Sequence, residues 1–293
     1  CSSDLKDWGG PDDLPTEAFG KDVIVDFPHN IHRYLLFVEG YEKMEQAFLK
    51  LAESEIAYSA YKTAYPLLLL TEGPLTNYIA DYFPSVKNAF EELKQCTLIT
   101  IIGTSKEDLK YKLDCLNDIT EELGGFLWGG HPTSHKDKVD LYQMIRANAY
   151  CHNFNQSMTF HVAMGADESV KAILRQGEAS EKIKKGYIAE NGCLNDMGDG
   201  AWATYYDHGT WGHCEATMLF DPTIPAQAGS MQRYSDDCAQ VQYDERLGGI
   251  GFAMFGGIKT VRKFSKGSFD FLDWTLRLKE AWDPNQTSDQ TFR

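Results

Sequence analysis

The sequence predicts an α+β fold made of two similar halves on a large antiparallel sheet, with the helices on one face. Four stretches repeat one pattern, in which a short apolar strand precedes an amphipathic helix. The four strands are predicted at 34–38, 98–102, 158–162 and 216–220. The second and fourth stretches also end alike, in the glycine-rich segments 123–130 and 247–257. Repeated supersecondary units show how a chain is built, and these indicate two ferredoxin-like βαββαβ units.

Helical spacing of apolar residues predicts the helices that follow the strands. The first begins near Tyr41 and carries Met44, Phe48 and Leu51 on one side. The third begins at Asp167, the fourth ends near position 247, and a last helix spans 269–281.

The second helix has the clearest end signals. Thr104-x-x-Glu107 reads as a capping box before a helix that begins at Ser105, and Gly124 ends it. Between these ends runs an apolar stripe typical of a helix packed on a sheet. Its members are Leu109, Leu113, Leu116, Ile119 and Leu123.

These elements divide the chain into three parts. Residues 1–33 form a lead-in segment, 34–268 the duplicated domain with halves at about 34–130 and 155–257, and 269–293 the C-terminal helix and tail. Insertions are predicted at 61–95 and 129–157, and the segment 186–213 separates the two strand–helix units of the second half. Insertions on a sheet scaffold often line a substrate site, although they serve packing as often.

Composition narrows the class of protein. A formal net charge of −15 over 293 residues argues against nucleic acid as the partner. No apolar run approaches the roughly 18 residues of a membrane span. The seven cysteines are scattered without a CxxC pair, which is typical of reduced thiols and predicts a cytoplasmic protein.

The densest group of polar and aromatic residues is segment 205–215, which leads into the fourth strand. Alternation along a strand puts His213 and Glu215 on one face and Cys214 on the other. An imidazole beside a carboxylate suits a general base or half of a metal site, and a simple hydrogen-bonded pair at a sheet edge is the competing interpretation. His208 and His213 have no CxxC partner, so no zinc site is predicted. Dinucleotide, P-loop, zincin and Gly-x-Ser-x-Gly motifs are absent from the sequence.

Several short motifs resemble the C-terminal substrate-binding (cap) domain of FAD-linked oxidases. The segment 276–285 ends in an "LK…DPN" signature. Their "GH" segment is resembled by Gly212-His213, which precedes a predicted strand that Asp221-Pro222 follows. The segment 17–28 resembles the crossover between their domains. The oxidases in question are of the vanillyl-alcohol-oxidase type, which includes glycolate and D-lactate dehydrogenases. In the hydroxy-acid branch a second metal-ligating histidine follows the first by six residues. Counted from His213, that position is Leu219 here, so the pair of metal-ligating histidines is absent.

The resemblance implies the substrate-binding portion of an FAD-dependent oxidoreductase that oxidises an alcohol or 2-hydroxy acid. The FAD-binding domain would lie outside this chain, in a partner subunit or in further sequence, and the C-terminal helix and tail would return toward the flavin. His213 is the expected base, oriented by Glu215, and His208 and Tyr206 are expected to hold the substrate oxygen. The remaining expected contacts are Trp211, Tyr205 and Arg146 for substrate and Asn285 for the flavin.

The implied partners are a small-molecule substrate, the FAD-binding part and an unidentified electron acceptor, in an oligomeric assembly. Two other classes stay open on the sequence. One is a non-catalytic scaffold or binding subunit that uses the duplicated sheet for assembly. The other is a haem protein on paired ferredoxin-like sheets, with His213 or His208 as axial ligand.

Overall fold

A computed structural model describes residues 30–63, 95–131, 159–193, 201–221, 223–247, 258–267 and 269–288. The chain divides into two compact units. Unit 1 comprises Cys1–Thr159 and Thr204–Gly209, and unit 2 comprises Phe160–Ala203 and Thr210–Arg293.

Along the described chain, single helices separate pairs of consecutive strands, and three helices follow the last strand. The strands are β1 (Ile31–Phe37), β2 (Ser59–Thr63), β3 (Cys96–Ile102), β4 (Phe126–Gly130), β5 (Thr159–Glu168), β6 (Ala201–Tyr206) and β7 (Trp211–Phe220). The helices are α1 (Gly40–Ser54), α2 (Lys106–Leu123), α3 (Val170–Ala189), α4 (Pro225–Glu245), α5 (Ile258–Phe264) and α6 (Phe271–Trp282).

Unit 1 has the element order βαββαβ, which is that of a ferredoxin-like unit. Its strands lie in the order β4-β1-β3-β2, and every one of these neighbouring pairs is antiparallel. Leu35 of β1 lies between Leu98 of β3 and Trp128 of β4. The α+β fold with an antiparallel sheet is therefore confirmed.

Unit 2 repeats the first five of these elements as β5, α3, β6, β7 and α4, with strand order β6-β7-β5. Strand β6 contributes residues to both units. The glycine-rich segment predicted to close this half, at positions 248–257, lies outside the described residues.

Three strands were not predicted from the sequence. β2 overlaps the start of the insertion expected at 61–95, and β4 lies in the glycine-rich segment 123–130. β6 lies in the segment that was expected only to separate two units. β2 is short and polar, yet its Lys62 is almost fully buried, with Nζ 5.6 Å from the centre of the Tyr41 ring. A cation–π contact between the ammonium group and the ring helps such a residue to enter a core.

Three predicted boundaries shift. β1 begins at Ile31, inside the predicted lead-in, whose residues 1–29 lie outside the described part. β5 continues to Glu168, so the third helix begins at Val170 instead of Asp167. α2 is capped by Ser105, whose hydroxyl accepts from the Asp108 amide at 3.1 Å. The predicted capping box was therefore one residue too early.

The core of unit 1 forms where α1 and α2 cover one face of its sheet. Met44, Phe48 and Leu51 of α1 are fully buried, as their spacing predicted. The Thr97 hydroxyl of β3 lies 3.0 Å from the Met44 sulfur, which fixes the helix against that strand. Each such fully buried apolar side chain contributes about 1.5–3 kcal/mol.

The core of unit 2 is formed by β7 and the helices packed on it. Ala216 and Met218 of β7 join Tyr187 of α3 and Tyr234 and Cys238 of α4 in one buried cluster. Consequently the face of β7 that carries its even-numbered residues is the helix-covered face.

Within the described ranges, no helix combines the length and apolar character that crossing a membrane requires. Of the five described cysteines, those at positions 96, 193, 214 and 238 are buried, and Cys115 is half-buried.

Candidate functional site

A histidine–carboxylate pair lies on the face of β7 opposite its helix-covered side. Nε2 of His213 is 3.1 Å from Oε1 of Glu215, and their side chains are 19% and 32% exposed. Cys214 and Ala216, which alternate with them, are fully buried. The pair predicted from strand alternation is thus present, half-buried and within hydrogen-bonding distance.

The pair fixes which imidazole nitrogen is basic. An ionised carboxylate only accepts hydrogen bonds, so its contact places the proton of a neutral His213 on Nε2. The lone pair then lies on Nδ1. A carboxylate that selects the tautomer and holds the ring is the arrangement used by histidine bases in general.

An indole supports the same imidazole. The ring of Trp202 in β6 packs edge-on against His213, with 5.7 Å between ring centroids. Such a contact restricts rotation of the imidazole. Sequence reasoning missed Trp202 because the strand that carries it was not predicted.

Two further residues of β7 share this face by alternation. Trp211, two positions before His213, is 38% exposed. Thr217, two positions after Glu215, is almost fully buried, and its hydroxyl makes no hydrogen bond within the structure as described. A buried polar atom without a partner is uncommon and points to a group that completes it. Thr217 continues the same alternation as His213 and Glu215, so the sequence pattern could have indicated it.

The remaining residues predicted in segment 205–215 belong to unit 1 and have different surroundings. His208 is exposed, and its Nδ1 lies 3.1 Å from the Glu55 carboxylate. Both residues adopt the left-handed region, with φ of 57° and 53°. His208 is therefore paired with Glu55 on the surface, at a tight turn.

Tyr205 and Tyr206 point to opposite sides of β6. Tyr205 packs edge-on against Phe48 of α1 at 5.5 Å between centroids, and burial raises the pKa of its phenol to about 12. Tyr206 is 39% exposed. Tyr205 thus joins the core under the helices of unit 1, whereas Tyr206 remains open to solvent.

The C-terminal signature forms a capped helix end. Asp283 accepts hydrogen bonds from the Thr287 amide at 2.7 Å, the Ser288 amide at 3.1 Å and Lys279 Nζ at 3.0 Å. These bonds, that of the Thr287 amide above all, lower the pKa of the Asp283 carboxyl. Asn285 lies within this turn and is exposed. Arg146 lies outside the described residues.

Metal binding by a larger cluster finds no support in this part of the chain. Among the described residues, no group of three or more His, Cys, Asp or Glu side chains is placed to hold a metal ion.

Solved structures of similar fold were found. The chain resembles 4-ethylphenol oxidase from Gulosibacter chungangensis, solved as an isoeugenol complex, with 13% identity and a TM-score of 0.55 over 89% of this chain. It also resembles p-cresol methylhydroxylase, solved with substrate bound, with 10% identity and a TM-score of 0.55 over 87% of this chain. The chain has the fold of part of these enzymes. The resemblance to vanillyl-alcohol-oxidase-type enzymes is thereby confirmed at the level of the fold.

The likeness is limited in extent. The chain spans only about half the length of the two solved proteins, 53% and 51%. At such low identity it establishes fold and not activity. No protein-family model matches the chain, and none of the curated proteins matches it either.

Proposed function

We propose that this chain is the substrate-binding part of an FAD-dependent oxidoreductase that oxidises an alcohol or 2-hydroxy acid. The observation that carries the proposal is the fold: nearly nine-tenths of the chain superposes on about half of a phenol oxidase. The other half of such an enzyme would be the FAD-binding part, in a partner subunit or in further sequence. The chain itself would supply the substrate side of the site.

The side chains on the odd-numbered face of β7 suit that role. His213 would take the proton of the substrate hydroxyl on Nδ1, and Glu215 would hold the ring and stabilise the resulting imidazolium. FAD would supply the hydride acceptor for the adjacent C–H bond. Proton and hydride then leave the substrate as a balanced two-electron oxidation.

Neighbouring residues would shape the substrate pocket. Trp211 would form an apolar wall, and the Thr217 hydroxyl, buried without a partner, would bind a polar group of the substrate or a bridging water. Tyr206 stays a proposed contact to the substrate oxygen. His208 is a weaker proposal, because its Nδ1 is engaged by Glu55. Asn285 is proposed to approach the flavin from its exposed turn.

The C-terminal helix offers a surface for the FAD-binding part. Trp274, Leu278 and Trp282 recur every four residues on α6 and are 59%, 52% and 86% exposed. Leu272, on another side of the helix, is buried. A contiguous apolar stripe of this kind is unusual on a free surface and marks an interaction site. The half of the oxidase fold that this chain lacks is the occupant we propose.

Rapid-reaction kinetics of flavin reduction test the catalytic assignment, using the assembled enzyme and an alcohol or 2-hydroxy acid that reduces it. His213→Ala should slow flavin reduction by about 10²–10⁴-fold, the usual contribution of a general base, with little change in substrate Kd. Glu215→Gln should slow flavin reduction less than His213→Ala does. The exposed Glu245→Gln on α4 is the matched control and should leave the rate unchanged. Reduction of His213→Ala at the wild-type rate would refute the assignment.

A further inference from the structure

A pair of histidines in unit 1 has no role in the proposed oxidation chemistry. β1 and β4 pair antiparallel with Arg33 opposite Gly130, so the next residues, His32 and His131, lie side by side. Their ring centroids are 5.5 Å apart, at an interplanar angle of 46°. Two imidazoles are thus brought together by strand register across 99 positions of sequence.

Both rings are oriented through Nδ1. Nδ1 of His131 lies 3.0 Å from the carbonyl oxygen of Ile31, and Nδ1 of His32 lies 3.1 Å from the Tyr34 hydroxyl. A carbonyl only accepts, so Nδ1 of His131 carries the proton and its lone pair lies on Nε2. The Tyr34 oxygen can accept from Nδ1 of His32 in the same way, which again leaves the lone pair on Nε2.

This is how proteins hold histidine ligands of metal ions. A ligating imidazole usually donates its second N–H to a carbonyl or other oxygen, which fixes the tautomer and the ring. At a Zn–N distance of about 2.0–2.1 Å, each ring centre lies about 3.2 Å from the ion. Rings 5.5 Å apart whose Nε2 atoms both faced one ion would subtend an angle of about 120° at it, close to tetrahedral geometry.

The ligand type narrows the choice of metal ion. Imidazole ligands suit zinc, copper and nickel, and exclude the hard cations calcium and magnesium.

We propose that His32 and His131 bind one divalent transition-metal ion, with Zn²⁺ as the physiological class, through their Nε2 atoms. Water would complete the coordination shell. Tyr34 is a positioning residue, because its hydroxyl orients His32. The proposal is independent of the proposed oxidation chemistry and stands or falls on metal binding alone.

Calorimetric titration of the full chain with Zn²⁺, after chelator treatment and dialysis, tests it. We expect one equivalent to bind, and that binding to be lost in His131→Ala and in His32→Ala. His208→Ala removes an exposed histidine elsewhere in unit 1 and should bind as wild type does. Tyr34→Phe should weaken binding by about 10–100-fold, the usual effect of losing an outer-sphere partner.

Electron paramagnetic resonance of the Cu²⁺-loaded wild-type chain gives a second measurement that needs no variant to fold. Two nitrogen ligands are expected in the wild-type spectrum, and a spectrum without them would contradict the proposal. Absence of Zn²⁺ binding by the wild type would overturn the proposal. So would an unchanged Zn²⁺ titration in both histidine variants, since the ion would then be held by other residues.

Discussion

Individual residues of β7 meet two different environments, and the proposed chemistry depends on that difference. Cys214 is fully buried toward the helices, whereas His213 and Glu215 keep part of their side chains accessible. Strand alternation alone predicted this division. The contacts that come from neighbouring strands could not be predicted, because a sequence pattern carries no information about which strand pairs with which. Trp202 is the clearest example.

The same limit applies to adjacent aromatic residues. Tyr205 and Tyr206 looked equivalent as substrate contacts, since both are aromatic and both precede His208. The structure separates them, because Tyr205 packs on Phe48 and Tyr206 is open. Which of two neighbours turns inward depends on where β6 begins, and that strand was not recognised in the sequence.

Asp283 gives a residue-scale prediction about pH. Its pKa is lowered in the folded state, mainly by the Thr287 amide. The stability it contributes is therefore fully present above the unfolded value of about 3.9 and is lost as the pH falls through the lower folded value. Asp283→Asn should lower the free energy of unfolding in urea at pH 7, and the difference from wild type should shrink as the pH falls below about 4.

Asp273→Asn is the matched control for that experiment, since Asp273 lies on the same helix, in its first turn. Asp273→Asn should cause no comparable loss in the free energy of unfolding at pH 7. A deficit of Asp283→Asn that stayed equal at pH 7 and in acid would contradict the assigned role of the carboxylate.

At the scale of elements, strongly amphipathic segments were predictable and short polar ones were not. α1 and α2 carry regular apolar stripes with clear end signals, and both appear within a residue or two of the predicted positions. The cap of α2 shifted because Thr104 and Ser105 each have an acidic residue three positions later. β2 has five residues, of which only one is aliphatic, so its burial is decided by tertiary packing.

The exposed stripe on α6 supplies the prediction at this scale. Trp274→Glu combined with Trp282→Glu should disrupt docking of the FAD-binding part, because each change places a charge in an apolar interface. On size-exclusion chromatography of the assembled protein, the flavin should separate from this chain or be lost. Each change should alter the free energy of unfolding by no more than about 0.5 kcal/mol, because both side chains are exposed.

Tyr111→Glu on α2 is the control, because that aromatic side chain is 64% exposed but belongs to unit 1, whereas the stripe belongs to unit 2. It should leave flavin retention unchanged. Equal retention by the double tryptophan variant would show that the stripe is not the docking surface.

For the molecule as a whole, the fold could be predicted further than the function. Repeated strand–helix units and a few terminal motifs were enough to indicate the α+β class and the type of oxidase whose fold it shares. Function is harder because the chain spans only about half the length of the solved oxidases whose fold it shares. The residues on one side of an active site can indicate a base and an apolar surface. They do not identify the substrate, which the residues on both sides select together.

The visible absorption spectrum of the natively purified protein, with the mass of every co-purifying chain, tests the central claim most directly. We expect flavin absorption bands, together with either a second subunit or a longer polypeptide that carries the FAD-binding part. A Soret band would indicate haem instead. A colourless, solitary chain of 33.1 kDa that gains no flavin on incubation with FAD would contradict the proposed function and favour a scaffold role.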